Sequence, residues 1–225
     1  MLVDQSVLNK YKVVRTESKH FQYASQICKM IEEAAHARGT GIAKRDRKYI
    51  VNKMKQGQAV IALDHNAEVA GFCYIETWQH GKYAVNSGLI VAPKHRKSGL
   101  AKRIKSKAFE LSRKKYPNAK LFGLTTSLAV MKINSDLGYR PVTFSELTDD
   151  DAFWSGCQSC VNYDILQRMN RKHCLCTGML FDPNKKMTAS KSKLKMSTLQ
   201  KYERWLRYKR HVLLRKIKSR KLLFI

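Results

Sequence analysis

Arg96-Lys97-Ser98-Gly99-Leu100-Ala101 is the stretch of this chain whose residue types and spacing best suit a ligand site. The residues before it, Leu89-Ile90-Val91, read as the end of a strand, and a helical period starts at Leu100. Gly99 lets the backbone approach a ligand closely. Free N–H groups at the start of the helix face that ligand with the positive end of the helix dipole. With the fixed charge of Arg96, these features make a cradle for a pyrophosphate. Taken alone, the six residues would also describe an ordinary strand-to-helix turn.

A second constellation is Cys157-Gln158-Ser159-Cys160 with Cys174-Leu175-Cys176, a C-x2-C-x13-C-x-C spacing. Clustered cysteines in a chain read as cytoplasmic argue for metal before disulfide. Four thiolates, or three with His173, would hold a structural Zn²⁺. Such a site keeps no open position for water, so it would pin the chain rather than catalyse. The alternative is four reduced thiols packed beneath Trp154 and Tyr163. Cys28 and Cys73 stand alone in apolar patterns and read as core packing.

The elements that must position these groups follow from periodicity. Apolar residues recur at helical spacing from Phe21 to Ala37, and Gly39 and Gly41 end that run. Asp46 reads as the N-cap of a second helix that stops at Gly57. The period then becomes that of strands over 59–63, 69–76 and 83–91. A helix follows over 100–115, a strand over 119–125, a short helix over 128–137 and a last strand over 139–144. The order β-α-α-β-β-β-α-β-α-β over residues 10–145 predicts a mixed α/β (α+β) domain whose middle strands form an antiparallel meander.

That order, with the loop Arg96 to Ala101 between the fourth strand and the third helix, resembles the GNAT N-acetyltransferases over about 135 residues. The six residues resemble that family's Arg-x-x-Gly-x-Gly/Ala motif, which binds the pyrophosphate of CoA. The resemblance implies a mixed, mostly antiparallel sheet flanked by helices, and acetyl-CoA or succinyl-CoA as cofactor. Backbone groups of Leu89, Ile90 and Val91 would bond the pantetheine arm, and Arg96, Lys97, Ser98, Gly99, Leu100 and Ala101 the pyrophosphate. Asn86-Ser87-Gly88 is where a bulge would open the gap that the family keeps between its fourth and fifth strands.

The implied chemistry is attack of a neutral amine on a thioester. It needs a base, oxyanion donors and a proton for the leaving thiolate. Many GNAT members carry a Tyr as that acid, four residues before the glycine of a Gly-Phe or Gly-Tyr pair. Here the pair is Gly138-Tyr139 and the position holds Asn134, which donates a hydrogen bond but cannot act as an acid. It would hold the pantetheine or thiolate, or else be a helix-surface polar residue. Glu76, near a strand end that borders the cleft, is the candidate base, with His80 close behind. The alternative for Glu76 is a solvated carboxylate.

The stretches 31–45, 72–78 and 122–126 also resemble a Bacteroidetes-type GNAT group associated with arginine biosynthesis, taken to be N-acylglutamate synthases. That resemblance implies glutamate as the amine acceptor. Arg38, Lys44 and Arg45 surround a Gly-Thr-Gly turn where the acceptor would lie, and Arg suits a carboxylate. A basic loop facing solvent is the plain alternative.

The formal net charge of the 225 residues is +27. Residues 184–225 hold 15 of the 44 Lys and Arg but only 1 of the 17 acidic residues. Such a tail attracts polyanions. With Tyr202, Trp205 and Tyr208 it could hold nucleic acid, which would suit a ribosome-associated protein N-acetyltransferase. Its partial amphipathic stripe could instead meet an anionic surface. Neither a transmembrane run nor a secretory leader is evident, so the chain reads as cytoplasmic. The expected organisation is a catalytic domain over 1–147, a Cys-rich extension over 148–183 and a basic tail over 184–225.

Overall fold

The computed structural model describes residues 10–38 and 45–185. The side chain of Arg38, the whole of Lys44 and the tail from 186 onward lie outside the described residues, and so do the expectations placed on them. Among the described residues seven strands form one sheet in the order β1-β2-β3-β4-β5-β7-β6. They are β1 (Lys12–Arg15), β2 (Ala59–Leu63), β3 (Val69–Trp78), β4 (Tyr83–Val91), β5 (Lys120–Thr125), β6 (Arg140–Val142) and β7 (Thr177–Phe181). Among the described strands β4–β5 is the parallel pair and the rest are antiparallel. The helices are α1 (Ala24–Arg38), α2 (Arg47–Lys55), α3 (Leu100–Lys115), α4 (Leu128–Asp136), α5 (Asp151–Ser155) and α6 (Tyr163–Arg168).

The sheet is covered on both faces, which is why β2 reads as an unbroken apolar run rather than an alternation. Ala59 and Ile61 face α1 and α2, joining Ile27, Ile31, Ile50, Met54 and Phe72. Val60 and Ala62 point the other way and join Cys73 with Leu100, Ile104 and Ala108 of α3. A large aliphatic side chain buried in either layer contributes roughly 1.5–3 kcal/mol. Asp46 caps α2 as its sequence implied, its side chain accepting from the Tyr49 amide at 2.7 Å.

The expected domain end at 147 falls inside the sheet. β7 lies between β5 and β6 and bonds both, with Phe122 opposite Leu180 and Arg140 also opposite Leu180. Met179 and Leu180 are core residues on opposite faces of the sheet, Met179 with Ile75, Ala84 and Leu121 and Leu180 with Phe122 and Phe144. The segment 148–176, which carries the four cysteines, is therefore an insertion between two strands of one sheet rather than an appendage. Trp154 and Leu166 from that insertion pack with Phe122, Phe144 and Leu180. The Trp154 indole also donates to the Thr148 carbonyl at 2.8 Å. The short run Thr-Gly-Met-Leu-Phe, directly behind a cysteine pair, has too little period of its own to announce a strand.

Candidate active site

β4 carries the device that opens the sheet. Tyr83, Ala84 and Val85 pair with Lys120, Leu121 and Phe122, and there the β4–β5 ladder stops. Beyond it, among the described strands, β5 bonds β7 alone through Gly123–Thr125, while β4 continues along β3. The β3–β4 register shifts between Phe72 opposite Ile90 and Tyr74 opposite Ser87, leaving β4 one residue longer. This is the bulge expected at 86–88. Gly88 sits in it at φ +61°.

At the far end of β4 the chain enters the loop at Pro93. Arg96 Nε donates to the Val91 carbonyl at 3.2 Å, so the guanidinium is tied to the strand end. Ser98 Oγ donates to the His95 carbonyl at 2.7 Å. Gly99 is the N-cap of α3 at φ +76°, and a Cβ there would meet no atom within 4 Å. The first helical bonds come from Lys102 and Arg103, both to the Gly99 carbonyl. The amides before them precede the helical ladder, at the positive end of α3. The loop is seated from below by His95, whose Nδ1 lies 3.1 Å from Tyr11 Oη and whose Nε2 lies 3.4 Å from Asp64 Oδ2.

A cavity of about 320 Å³ opens at the splayed strands. Arg45, Tyr74, Glu76, Ser87, Leu124 and Phe153 are among its walls. Tyr74, Glu76 and Trp78 alternate along β3 and so share a face. Glu76, with its side chain 12% exposed, accepts from Arg45 Nη2 at 3.1 Å and from the Tyr49 hydroxyl, both on Oε1. Arg45 Nε donates to Tyr74 Oη at 2.9 Å. Burial, then the bond and charge of Glu76, push the Tyr49 phenol far above its ordinary value. Burial and the same charge push Tyr74 up as well. Both remain neutral hydroxyls at physiological pH.

Sequence reasoning had named Glu76 and Arg45 but had not joined them. The two Arg45 donors bonded here are not available to an acceptor carboxylate. Tyr49 and Tyr74 were missed, although the Tyr-x-Glu-x-Trp alternation on β3 was a usable signal for Tyr74. His80 lies in the 3-10 turn after β3 and lines a separate concavity of about 700 Å³ with Gln79, Tyr116 and Asn118. That hollow holds neither the strand gap nor the Glu76 cluster. Asn134 is not a surface residue: it is 2% exposed on α4, and its Oδ1 has no hydrogen-bond partner among the described residues. Val130, one turn earlier on the same helix, lines the cavity.

Cys157 also lines the cavity, with Phe153 and Gly156. Burial, then Cys160 and Cys174, push its thiol up to about 11. Burial and the other three thiols push Cys176 up to about 12. Among the described residues no group of three or more His, Cys, Asp or Glu side chains forms a metal-holding arrangement.

The split parallel pair, the bulge and the helix-capping glycine loop are the marks of a GNAT acetyltransferase fold, and residues 27–130 match the family model described as acetyltransferase (GNAT) family. That stretch is a little under half of the chain, and the match is consistent with an N-acyltransferase enzyme. A comparison with curated protein sequences finds no match. Among solved structures the chain resembles N-acetylglutamate synthase from Neisseria gonorrhoeae complexed with coenzyme A and N-acetyl-glutamate. There the identity is 15% and the TM-score 0.53, over 78% of this chain and 35% of that one. The chain thus spans about a third of that protein's length. It also resembles a Mycobacterium tuberculosis protein in complex with CoA, with 14% identity and TM-score 0.54 over 76% of this chain and 98% of that one. A third is yncA from Salmonella typhimurium, a putative acetyltransferase with its cofactor acetyl-CoA. The identity is 12% and the TM-score 0.52, over 78% of this chain and 95% of that one. Among the described residues no helix is long and apolar enough to cross a membrane.

Proposed function

We propose that the protein transfers an acyl group from acetyl-CoA or succinyl-CoA to a primary amine, with the α-amino group of glutamate as acceptor. The observation that carries the acyl-CoA part is the end of the β4–β5 ladder at Val85 and Phe122, beyond which a cavity opens beside Glu76 and Leu89. The pyrophosphate rests on the amides of Lys97 to Ala101 beside Arg96, and the pantetheine arm runs along Leu89, Ile90 and Val91. Glu76 takes a proton from the acceptor ammonium through a water, on Oε2, where neither the Arg45 nor the Tyr49 bond ends. The neutral nitrogen attacks the thioester carbon, the C–S bond breaks, and the proton shed by the new amide nitrogen reaches the departing thiolate through water, so CoA leaves as the free thiol. The Asn134 amide stands by the arm as a donor to the thiolate and an acceptor for an arm N–H.

Glutamate is supported by the resemblance of three stretches to N-acylglutamate synthases and by the basic segment Arg38, Lys44 and Arg45. The test is a screen of both donors against free amino acids, with thiol release as readout. Glutamate is expected to react and glutamine, which lacks the side-chain charge, to react markedly less. Turnover of a protein lysine or a polyamine without glutamate would overturn the acceptor. Failure to bind CoA would overturn the class.

A structural zinc on Cys157, Cys160, Cys174 and Cys176 is the second part of the reading, supported by their spacing in the sequence. The purified protein is expected to contain about one zinc per chain, and chelation should lower its melting temperature, because metal binding adds to folding free energy. A metal-free preparation that melts at the same temperature would mean that the thiols only pack.

A further inference from the structure

Asn86 holds a buried acceptor that the fold does not satisfy. Its residue is 8% exposed, and it lies one position beyond the last β4–β5 pair, where the gap opens. The orientation of its amide is fixed by its neighbours. Ser112 Oγ donates to the Ala108 carbonyl at 2.8 Å, so it can only accept from Asn86, at 2.7 Å. The contacting atom is therefore Nδ2. That leaves Oδ1, buried and without a hydrogen-bond partner among the described residues, on a residue that lines the cavity. An acceptor in that state destabilises the empty site, a cost that a donor arriving with a ligand would remove.

The strand geometry says which ligand. Asn86 is opposite Ile75 and so shares its face, the one that packs on α3. Glu76 and Tyr74 project from the other face. Asn86 thus stands on the side of the helix that carries the phosphate loop, away from the base and the acceptor. A pantetheine arm entering the gap brings secondary amides, whose N–H groups are the donors an isolated carbonyl oxygen requires.

We propose that Asn86 Oδ1 accepts a hydrogen bond from an amide N–H of the pantetheine arm, which makes Asn86 an acyl-donor-binding side chain held in its working orientation by Ser112. This rests on the acyl-CoA reading above. The test compares CoA with its nucleotide half, 3′-phospho-ADP, which occupies the phosphate loop but has no arm. Calorimetric titration of Asn86→Leu should show CoA weakened about three- to tenfold, with 3′-phospho-ADP unchanged. Asn86→Asp, which keeps an acceptor, should lose less. Ser112→Ala, which frees the amide to turn, should weaken CoA alone and by a smaller factor. Equal losses for both ligands would overturn the proposal, because the loop itself would then be disturbed. Unchanged CoA affinity would also overturn it, and would leave an ordered water as the partner of Oδ1. A raised acceptor KM with CoA affinity intact would move Asn86 to the acceptor side and overturn it too. A wild-type protein that does not bind CoA would instead sink the acyl-CoA reading.

Discussion

Glu76→Gln is expected to lower kcat by about 10²- to 10⁴-fold, the range spanned by a positioned general base, while leaving the affinity for CoA unchanged. The substitution keeps the volume and an oxygen for the Tyr49 hydroxyl, but removes the charge that faces Arg45. The phosphate loop is built from other residues and is held by Val91, His95 and Tyr11, so donor binding has no reason to fall. A purely structural role for Glu76 would not depend on the protonation of the acceptor. A base would: as pH rises, a larger fraction of the amine is already neutral, and the deficit of the variant should shrink. Stopped turnover assays with glutamate at several pH values give the comparison. A kcat within about fivefold of wild type, or a deficit that does not change with pH, would remove Glu76 from the base position.

Local rules carried most of this fold. The bulge was legible because Asn-Ser-Gly interrupts a β-branched run, and the capping loop because a strand, a glycine and a helix follow one another without slack. The Asp46 cap was legible for the same kind of reason. β7 was not, because five residues without turn signals take their identity from the neighbours they pair with, Leu121 to Thr125 and Arg140 to Val142. Once β7 was missed, the domain seemed to end at 147 and the cysteines seemed to follow it. The Glu76 cluster failed in sequence for another reason. Arg45, Tyr49, Tyr74 and Glu76 come from a loop, a helix and a strand, and nothing in their spacing of 29 and 31 residues announces the bonds between them.

Arg45 shows what that hidden join does to a functional reading. As a free cation on a basic loop it looks like an anchor for a carboxylate. Tied to Glu76 at 3.1 Å and to Tyr74 at 2.9 Å, it also holds the candidate base in place. Arg45→Ala would therefore be expected to reduce kcat as well as raise the acceptor KM, which a pure anchor would not do.

Gly88→Ala is expected to cost about 2–5 kcal/mol of stability, and to reduce kcat/KM at least about tenfold in the protein that remains folded. Two separate penalties meet at this residue. The backbone is left-handed, at φ +61°, a region that costs an L side chain about 1–2 kcal/mol. The added Cβ would also stand 2.4 Å from Tyr74 Cε1 and 2.9 Å from Cδ1. The Tyr74 ring is buried against Phe72 and Tyr49, and its hydroxyl is held by Arg45, so withdrawing from the added Cβ breaks that arrangement. If the ring is forced to move, Arg45 loses the hydroxyl that receives its Nε, and the Glu76 carboxylate loses its fixed partner. Gly99→Ala provides the contrast, because its φ of +76° carries the backbone penalty while its Cβ meets nothing within 4 Å. Gly99→Ala should lose less stability, yet weaken CoA binding by filling the space where the pyrophosphate approaches. For a chain of this size the Gly88→Ala loss corresponds to a melting temperature lower by roughly 4–20 °C. Thermal melts of both variants with thiol-release kinetics decide it. A Gly88→Ala protein that melts within about 2 °C of wild type would mean that β4 can relax around the bulge, and that the close approach to Tyr74 does not set the position of Glu76.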